Sequence, residues 1–322
     1  MPPVPPVEPA PLTPPPDADA GIPAAARSRR RSRPAGARKR RPWRITLVLA
    51  TAALSAGTLV AVHNATDKRH PNAAPHQVQS RSGLPGPSGV PMPTGNLPGW
   101  RLAYSQDFNG TTLPPDWNAY SGEPGSDPYG YWDPANVTVS NGELHLRTKA
   151  DDDPQRSNTS STGGVGFYGN SQEYGMYLVR MRGDAEPGLQ ISDIALLWPA
   201  DSNTWPPEMD FYEDEGDSRS GFTASLHPGS DGDDCCVVRH TLANAATQWH
   251  TYGIIWTPTS ITYTIDGRPW GVVQKSQLSG PADWPSIPMN LDLQSQNLGP
   301  AQPNGSIETM TVDWVAEYAP SS

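Results

Sequence analysis

Trp205-Pro206-Pro207-Glu208-Met209-Asp210-Phe211-Tyr212-Glu213 places three carboxylates within six residues of a segment that otherwise reads as a β-strand. Acids are rare in strand interiors, where β-branched and aromatic side chains pack best. Successive strand side chains point to opposite faces, so Glu208 and Asp210 share one face and Met209 takes the other. Glu213 is an odd number of steps from Glu208 and would point away in a regular strand. A β-bulge at Phe211-Tyr212 returns it to the face of Glu208 and Asp210, because one extra residue shifts the alternation by one. The plainer alternative is a solvated acidic edge, which Asp214, Glu215 and Asp217 would extend. Alternation with Met209 and Phe211 favours a half-buried strand over that edge.

Outward from this segment the same short alternation recurs at residues 137–139, 144–148, 177–182, 252–256 and 261–265. No segment there sustains a helical period over three turns. Ser140-Asn141-Gly142 and Asp266-Gly267 mark hairpins, since Asn, Asp and Gly tolerate the positive φ of tight turns. The expected fold is all-β: a jelly-roll β-sandwich of two antiparallel sheets, one curved around a concave groove. Eleven Trp and eleven Tyr against four Phe suit a groove with one packed and one wet face. The same residues also favour strands for packing alone.

With the bulge, the Cα atoms of Glu208 and Glu213 stand about four strand steps apart, roughly 13 Å. Side chains leaning together bring the carboxyls to about 5 to 6 Å, the separation of a retaining glycosidase pair. One carboxylate attacks an anomeric carbon while the other, kept protonated, gives its proton to the leaving oxygen. Asp210 between them couples their titrations.

The rest of the chain concerns charge and location. The whole sequence of 322 residues carries 23 Lys+Arg and 33 Asp+Glu, a net charge of −10. From residue 95 onward there are 10 basic and 29 acidic side chains, a net charge near −19, which excludes nucleic-acid binding there by phosphate neutralisation. Residues 1–44 form a Pro- and Arg-rich tail with hardly any bulky apolar residue, expected to be disordered in the cytoplasm. Residues 45–62 are 18 consecutive uncharged residues, near the roughly 20 that cross a bilayer as a transmembrane helix. Ten basic residues between Arg27 and Arg44 precede this segment, which leaves the N-terminus inside and exports the C-terminal part of the chain. The segment reads as a retained single-pass anchor, with a cleaved signal segment as the alternative. Residues 63–95 form a flexible tether, and residues 96–322 the extracellular domain, expected to be a monomer.

The exported part resembles the family 16 glycoside hydrolases, which include laminarinases, lichenases, agarases and carrageenases. Glu208-Met209-Asp210-Phe211-Tyr212-Glu213 is similar to the longer, bulged form of that family's signature. Trp132-Asp133-Pro134, Tyr174-Gly175-Met176-Tyr177, Ala195-Leu196-Leu197-Trp198-Pro199, Trp256-Thr257-Pro258 and Val312-Asp313-Trp314-Val315 resemble its other segments in the right order. The resemblance implies Glu208 as nucleophile, Glu213 as general acid/base and Asp210 as the carboxylate assisting the nucleophile. It also implies that Trp198 and Trp205 lie near the sugar beside the scissile bond. The implied activity is retaining endo-hydrolysis of an extracellular polysaccharide, a β-1,3 or mixed-linkage glucan, by double displacement. No redox or organic cofactor is implied. Two departures bear on substrate: Leu178 stands where the family often has Glu, and Leu291-Asp292-Leu293-Gln294-Ser295-Gln296 replaces the Asn-Leu-Ala-Val-Gly-Gly run common in laminarinases. A transglycosylase on the same fold and a non-catalytic glycan-binding module are the alternatives.

Further sugar contacts are expected from His227, from Gln294 and Gln296 on one strand face, and from Trp132, with Trp270 and Trp284 weighed against simple packing. Asp231, Asp233 and Asp234 offer oxygen ligands for a structural calcium ion but lack the complete Asp-x-Asp-x-Asp-Gly pattern. Cys235 and Cys236 are adjacent, too close in backbone for an unstrained disulfide.

Overall fold

Alternation of the kind read at residues 144–148 is realised literally. Leu144, Leu146 and Thr148 point inward with no exposure, and the residues between them are half-buried on the other face. The computed structural model describes residues 86–122, 129–150, 160–184, 190–214, 221–228, 238–241, 246–278, 280, 284–297, 299 and 305–321. The expected tail, membrane segment and most of the tether lie outside these residues, as do Asp231, Asp233, Asp234, Cys235 and Cys236. Among the described residues no helix is long and apolar enough to cross a membrane.

The strands begin with β1 (Trp100–Gln106), β2 (Trp117–Ala119), β3 (Gly130–Trp132), β4 (Val137–Ser140) and β5 (Glu143–Lys149). They continue with β6 (Ser160–Gln172), β7 (Gly175–Gly183), β8 (Ile191–Pro199), β9 (Glu208–Asp214), β10 (Gly221–His227) and β11 (Val238–Thr241). The last are β12 (His250–Trp256), β13 (Ser260–Ile265), β14 (Arg268–Gln274), β15 (Met289–Asn297) and β16 (Ile307–Pro320). The expected hairpins join β4 to β5 and β13 to β14, with Asn141, Gly142, Asp266 and Gly267 all at positive φ.

One curled sheet folds back on itself in the order β11-β10-β9-β8-β15-β6-β5-β16-β7-β12-β13-β14, so its two halves form the layers of a sandwich. Pairing is antiparallel apart from the short β3 beside β6. Met209, Phe211, Leu197, Leu291 and Leu293 from one half meet Val179, Ile254, Trp256, Met310 and Val312 from the other in a common core. Each large apolar side chain fully buried in this way contributes about 1.5–3 kcal/mol.

Much of the Trp and Tyr content serves that core. Trp284 is buried and its indole N–H donates to the Thr257 carbonyl at 3.2 Å, while the Trp256 indole donates to the Pro285 carbonyl at 3.2 Å. Trp270 packs on Tyr263 and edge-on to Phe222. For Trp284 the packing reading holds, because its one N–H donor is met inside the core, and half-buried Trp270 packs against the same core.

Candidate active site

The anticipated bulge is present in β9. On β8, Ala195 pairs with Tyr212 and Leu196 with Asp210, leaving Phe211 as the extra residue. On β10, Thr223 pairs with Glu213 and Ser225 with Asp210, so two β9 residues oppose one. Phe211 and Tyr212 are both fully buried, and Tyr212 packs on Tyr252 with ring centroids 4.1 Å apart. Burying two consecutive aromatic side chains on one side is what a bulge permits and a regular strand forbids. Glu208, Asp210 and Glu213 therefore share the face turned away from the core.

Asp210 is the most tightly held of the three. The Ser225 hydroxyl donates to its Oδ2 at 2.8 Å, and His227 Nε2 lies 3.0 Å from the same oxygen. Both partners come from β10, whose register sets Ser225 opposite Asp210 and His227 opposite Glu208. Glu208 is half-buried, and the Trp205 indole N–H donates to its Oε2 at 2.8 Å. Trp205 also lies over Trp198, with centroids 6.4 Å apart and planes 18° from parallel. The two expected tryptophans thus form one aromatic wall beside Glu208, Trp198 half-buried and Trp205 exposed.

Burial, first, and the neighbouring Asp210 charge push the Glu208 carboxyl up to about 8, against the lowering effects of His227 and the Trp205 hydrogen bond; Glu213 adds a smaller upward push. Glu208, Asp210 and His227 each bring one ligand atom within 4.8 Å of the others, spacing that a metal ion also accepts. Trp205 and Ser225 already donate to these oxygens, and His227 Nε2 lies against one of them, so the cluster is hydrogen-bonded as it stands.

The other expected contacts fall on the same face. Gln294 on β15 pairs with Ile194, two strands from β9, and it shares its face with Gln296. Trp132 is 7% exposed and meets Tyr120 edge-on at 5.3 Å, so it supports Tyr120 and offers little face of its own. Reasoning from the sequence missed Ser225, Tyr120 and Asp292. Asp292 is 4% exposed and accepts a 2.5 Å hydrogen bond from the Tyr120 hydroxyl on Oδ2. The signal for it was the one used at Glu208: an acid inside an alternating strand, Leu291-Asp292-Leu293.

Similarity to known proteins runs along the same lines. A family model described as Glycosyl hydrolases family 16 matches residues 125–316. Over 96 residues the chain is 30% identical to the endo-1,3-1,4-beta-glycanase ExsH of Rhizobium meliloti, covering 30% of this chain and 20% of that protein. Over 141 residues it is 31% identical to a beta-glucanase of Acetivibrio thermocellus, covering 42% of this chain and 39% of the relative. The chain thus spans well under half the length of these curated relatives. The catalytic domain of an endo-1,3-beta-glucanase (laminarinase) from Thermotoga petrophila shares the fold, with a TM-score of 0.58, 21% identity and coverage of 69% of this chain and 99% of that one.

Proposed function

The chain belongs to glycosyl hydrolase family 16, and from that membership we propose that it hydrolyses internal linkages of a β-1,3 or mixed-linkage glucan with retention of configuration. The observation that carries the reading is the β9 bulge, which gathers Glu208, Asp210 and Glu213 on one face beside the Trp198–Trp205 wall. Glucanase and glycanase relatives support the substrate class.

In the proposed reaction, ionised Glu208 attacks the anomeric carbon while Glu213 gives its proton to the leaving glycosidic oxygen, forming a glycosyl ester on Glu208. Glu213, now a base, takes a proton from water as that water attacks the same carbon and frees Glu208. Asp210 accepts from Ser225 and interacts with His227, and its charge raises the proton affinity of Glu208. Trp205 fixes one Glu208 oxygen and leaves the other for attack. The test is release of reducing ends from a panel of laminarin, lichenan, curdlan, agarose, galactan and xyloglucan. Cleavage of one of the glucans is expected, and silence on both laminarin and lichenan would refute the substrate class.

The same assignment sets a pH dependence. The reactive state needs Glu208 ionised and Glu213 protonated, so kcat/KM is expected to be bell-shaped. Since the Glu208 carboxyl is pushed up to about 8, the acid limb should lie well above the ordinary carboxylate range. His227 lowers Glu208, so His227→Ala should move the acid limb to higher pH. An unmoved or lowered limb in that variant would contradict this assignment.

For location, we extend the proposal to export: residues 45–62 behind the basic block carry residues 96–322 to the outer face of the membrane. Protease treatment of intact cells should remove the domain from an anchored chain. Full protection in intact cells, with digestion after lysis, would place it inside.

A further inference from the structure

Strand β10 sets one polar side chain against each of the three acids of β9. Its core face carries Phe222, Ala224 and Leu226, so alternation turns Thr223, Ser225 and His227 to the other side. The register places Thr223 opposite Glu213, Ser225 opposite Asp210 and His227 opposite Glu208. This one-to-one match depends on the bulge, because β10 has one residue fewer between Thr223 and Ser225 than β9 has between Asp210 and Glu213.

Ser225 is the middle member of the row. It is 4% exposed, and its hydroxyl donates to Asp210 Oδ2 at 2.8 Å. A hydroxyl has a single proton to give, so this one is committed to Asp210, and burial leaves almost no surface for a sugar to touch. His227 Nε2 lies 3.0 Å from the same oxygen. The Cβ–Cγ torsion of an Asp is soft. Two partners on one oxygen, both from β10, hold it at one setting.

The backbone of Ser225 is braced from the other layer of the sandwich. β11 pairs with β10 only from Gly221 to Ala224, and the ladder to β9 is irregular between Thr223 and Ser225. Ser225 thus stands past the end of one ladder and at a break in the other. There its carbonyl accepts from the Tyr263 hydroxyl at 3.3 Å. Tyr263 lies on β13, has no exposure and packs on Trp270 with ring centroids 5.7 Å apart. A run of two hydrogen bonds therefore leads from the far layer through Ser225 to Asp210. It ends beside Glu208, one oxygen of which lies within 4.8 Å of an Asp210 oxygen.

We propose that Ser225 is a positioning residue for the hydrolytic reaction: braced by Tyr263, it holds the Asp210 carboxyl in the orientation from which Asp210 assists Glu208. This deepens the hydrolase reading and rests on it. The field of Asp210 acts on Glu208 as that residue gives up its charge to the glycosyl ester and regains it. A carboxyl free to swing therefore slows the chemical steps and leaves substrate affinity alone.

The test uses the full chain, with steady-state kinetics on the cleaved glucan and crystal structures of the unmodified protein and Ser225→Ala. Ser225→Ala is expected to lower kcat about tenfold with KM within about twofold, the loss of one hydrogen bond to an ionised group. Ser225→Thr returns the hydroxyl on a side chain that strands accept, and it should bring kcat back to within about threefold. Tyr263→Phe should lower kcat about threefold in the unmodified protein and under about 1.5-fold in the Ser225→Ala background, since a brace acting through the hydroxyl has nothing to hold once that hydroxyl is gone. The Asp210 carboxyl should be rotated in the Ser225→Ala crystal. An unchanged kcat, a raised KM with kcat kept, a fall in kcat that Thr does not recover, or an Asp210 carboxyl that keeps its orientation overturns the role. So does a Ser225→Ala chain that no longer folds, because the residue is then structural. Equal losses from Tyr263→Phe in both backgrounds overturn the brace. If the unmodified chain cleaves no glucan, the hydrolase reading fails, and the Asp210 orientation in the two crystals still decides whether Ser225 holds it.

Discussion

Glu208→Gln is expected to lower glucan hydrolysis by roughly 10⁴-fold or more, since an amide of the same shape cannot form the glycosyl ester. Folding should survive. Burial and the neighbouring Asp210 charge both disfavour a negative charge at Glu208, so a neutral amide of the same shape is readily accommodated there. The Trp205 indole, which donates to Glu208 Oε2, finds the amide oxygen in the same place. Oligosaccharide binding should therefore persist, with Tm within about 2 °C of the unmodified protein, a difference worth under roughly 1 kcal/mol. Reducing-end release, calorimetric binding and a thermal melt on the same preparation check the three points together. Loss of folding with activity would mean that the carboxyl holds the strand, and retained activity would remove Glu208 from the chemistry.

Glu317→Gln is expected to change the pH dependence of stability. Glu317 sits on β16 opposite Tyr104 on β1 and Tyr177 on β7, with no exposure. Its Oε2 accepts from Asn170 at 2.8 Å, and Oε1 has no hydrogen-bond partner. Burial pushes this carboxyl from 4.5 up to about 8. A raised acid is protonated in both states below pH 4.5, where its contribution is complete. Between pH 4.5 and about 8 the unfolded chain ionises while the folded one does not, so stability is lost as pH rises through that window. The loss is on the order of a few kcal/mol, each worth roughly 2–4 °C of Tm for a domain of this size. Glu317→Gln has no proton to lose, so its melting temperature should match the parent near pH 4.5 and exceed it near pH 8.5. Parallel Tm curves for the two proteins would show that Glu317 ionises in place. Asp292, pushed up to about 7 by burial, acts in the same direction and leaves a residual slope in the variant.

What the sequence made legible is what depends on neighbours along the chain. The β9 alternation, the bulge demanded by the offset of Glu213, and the Asn141-Gly142 and Asp266-Gly267 turns are all local, and the structure has each of them. The groove side of β9 was readable because acids interrupted an apolar strand. Partners set by cross-strand register were not. Ser225 meets Asp210 only because β10 lies against β9 with its own irregularity between Thr223 and Ser225. Asp292 lines up with Asp210 only through β8. Tryptophan was ambiguous for another reason, since its apolar rings and single N–H suit a dry interior and a wet groove alike. Trp205 and Trp284, similar in sequence context beside prolines, end at 41% and 2% exposure.

The bulge at Phe211 has a consequence for how this strand tolerates changes of length. In most strands, gaining or losing one residue turns every later side chain inside out. Here the spare residue is already absorbed, so a strand with one apolar residue between Asp210 and the next Glu would present the same three acids to the groove. The acidic face is therefore indifferent to that count, and the constraint comes from beneath. Tyr212 fills the space against Phe222 and Tyr252, so the packing of the sandwich interior, and not the chemistry above it, fixes how many residues separate the acids.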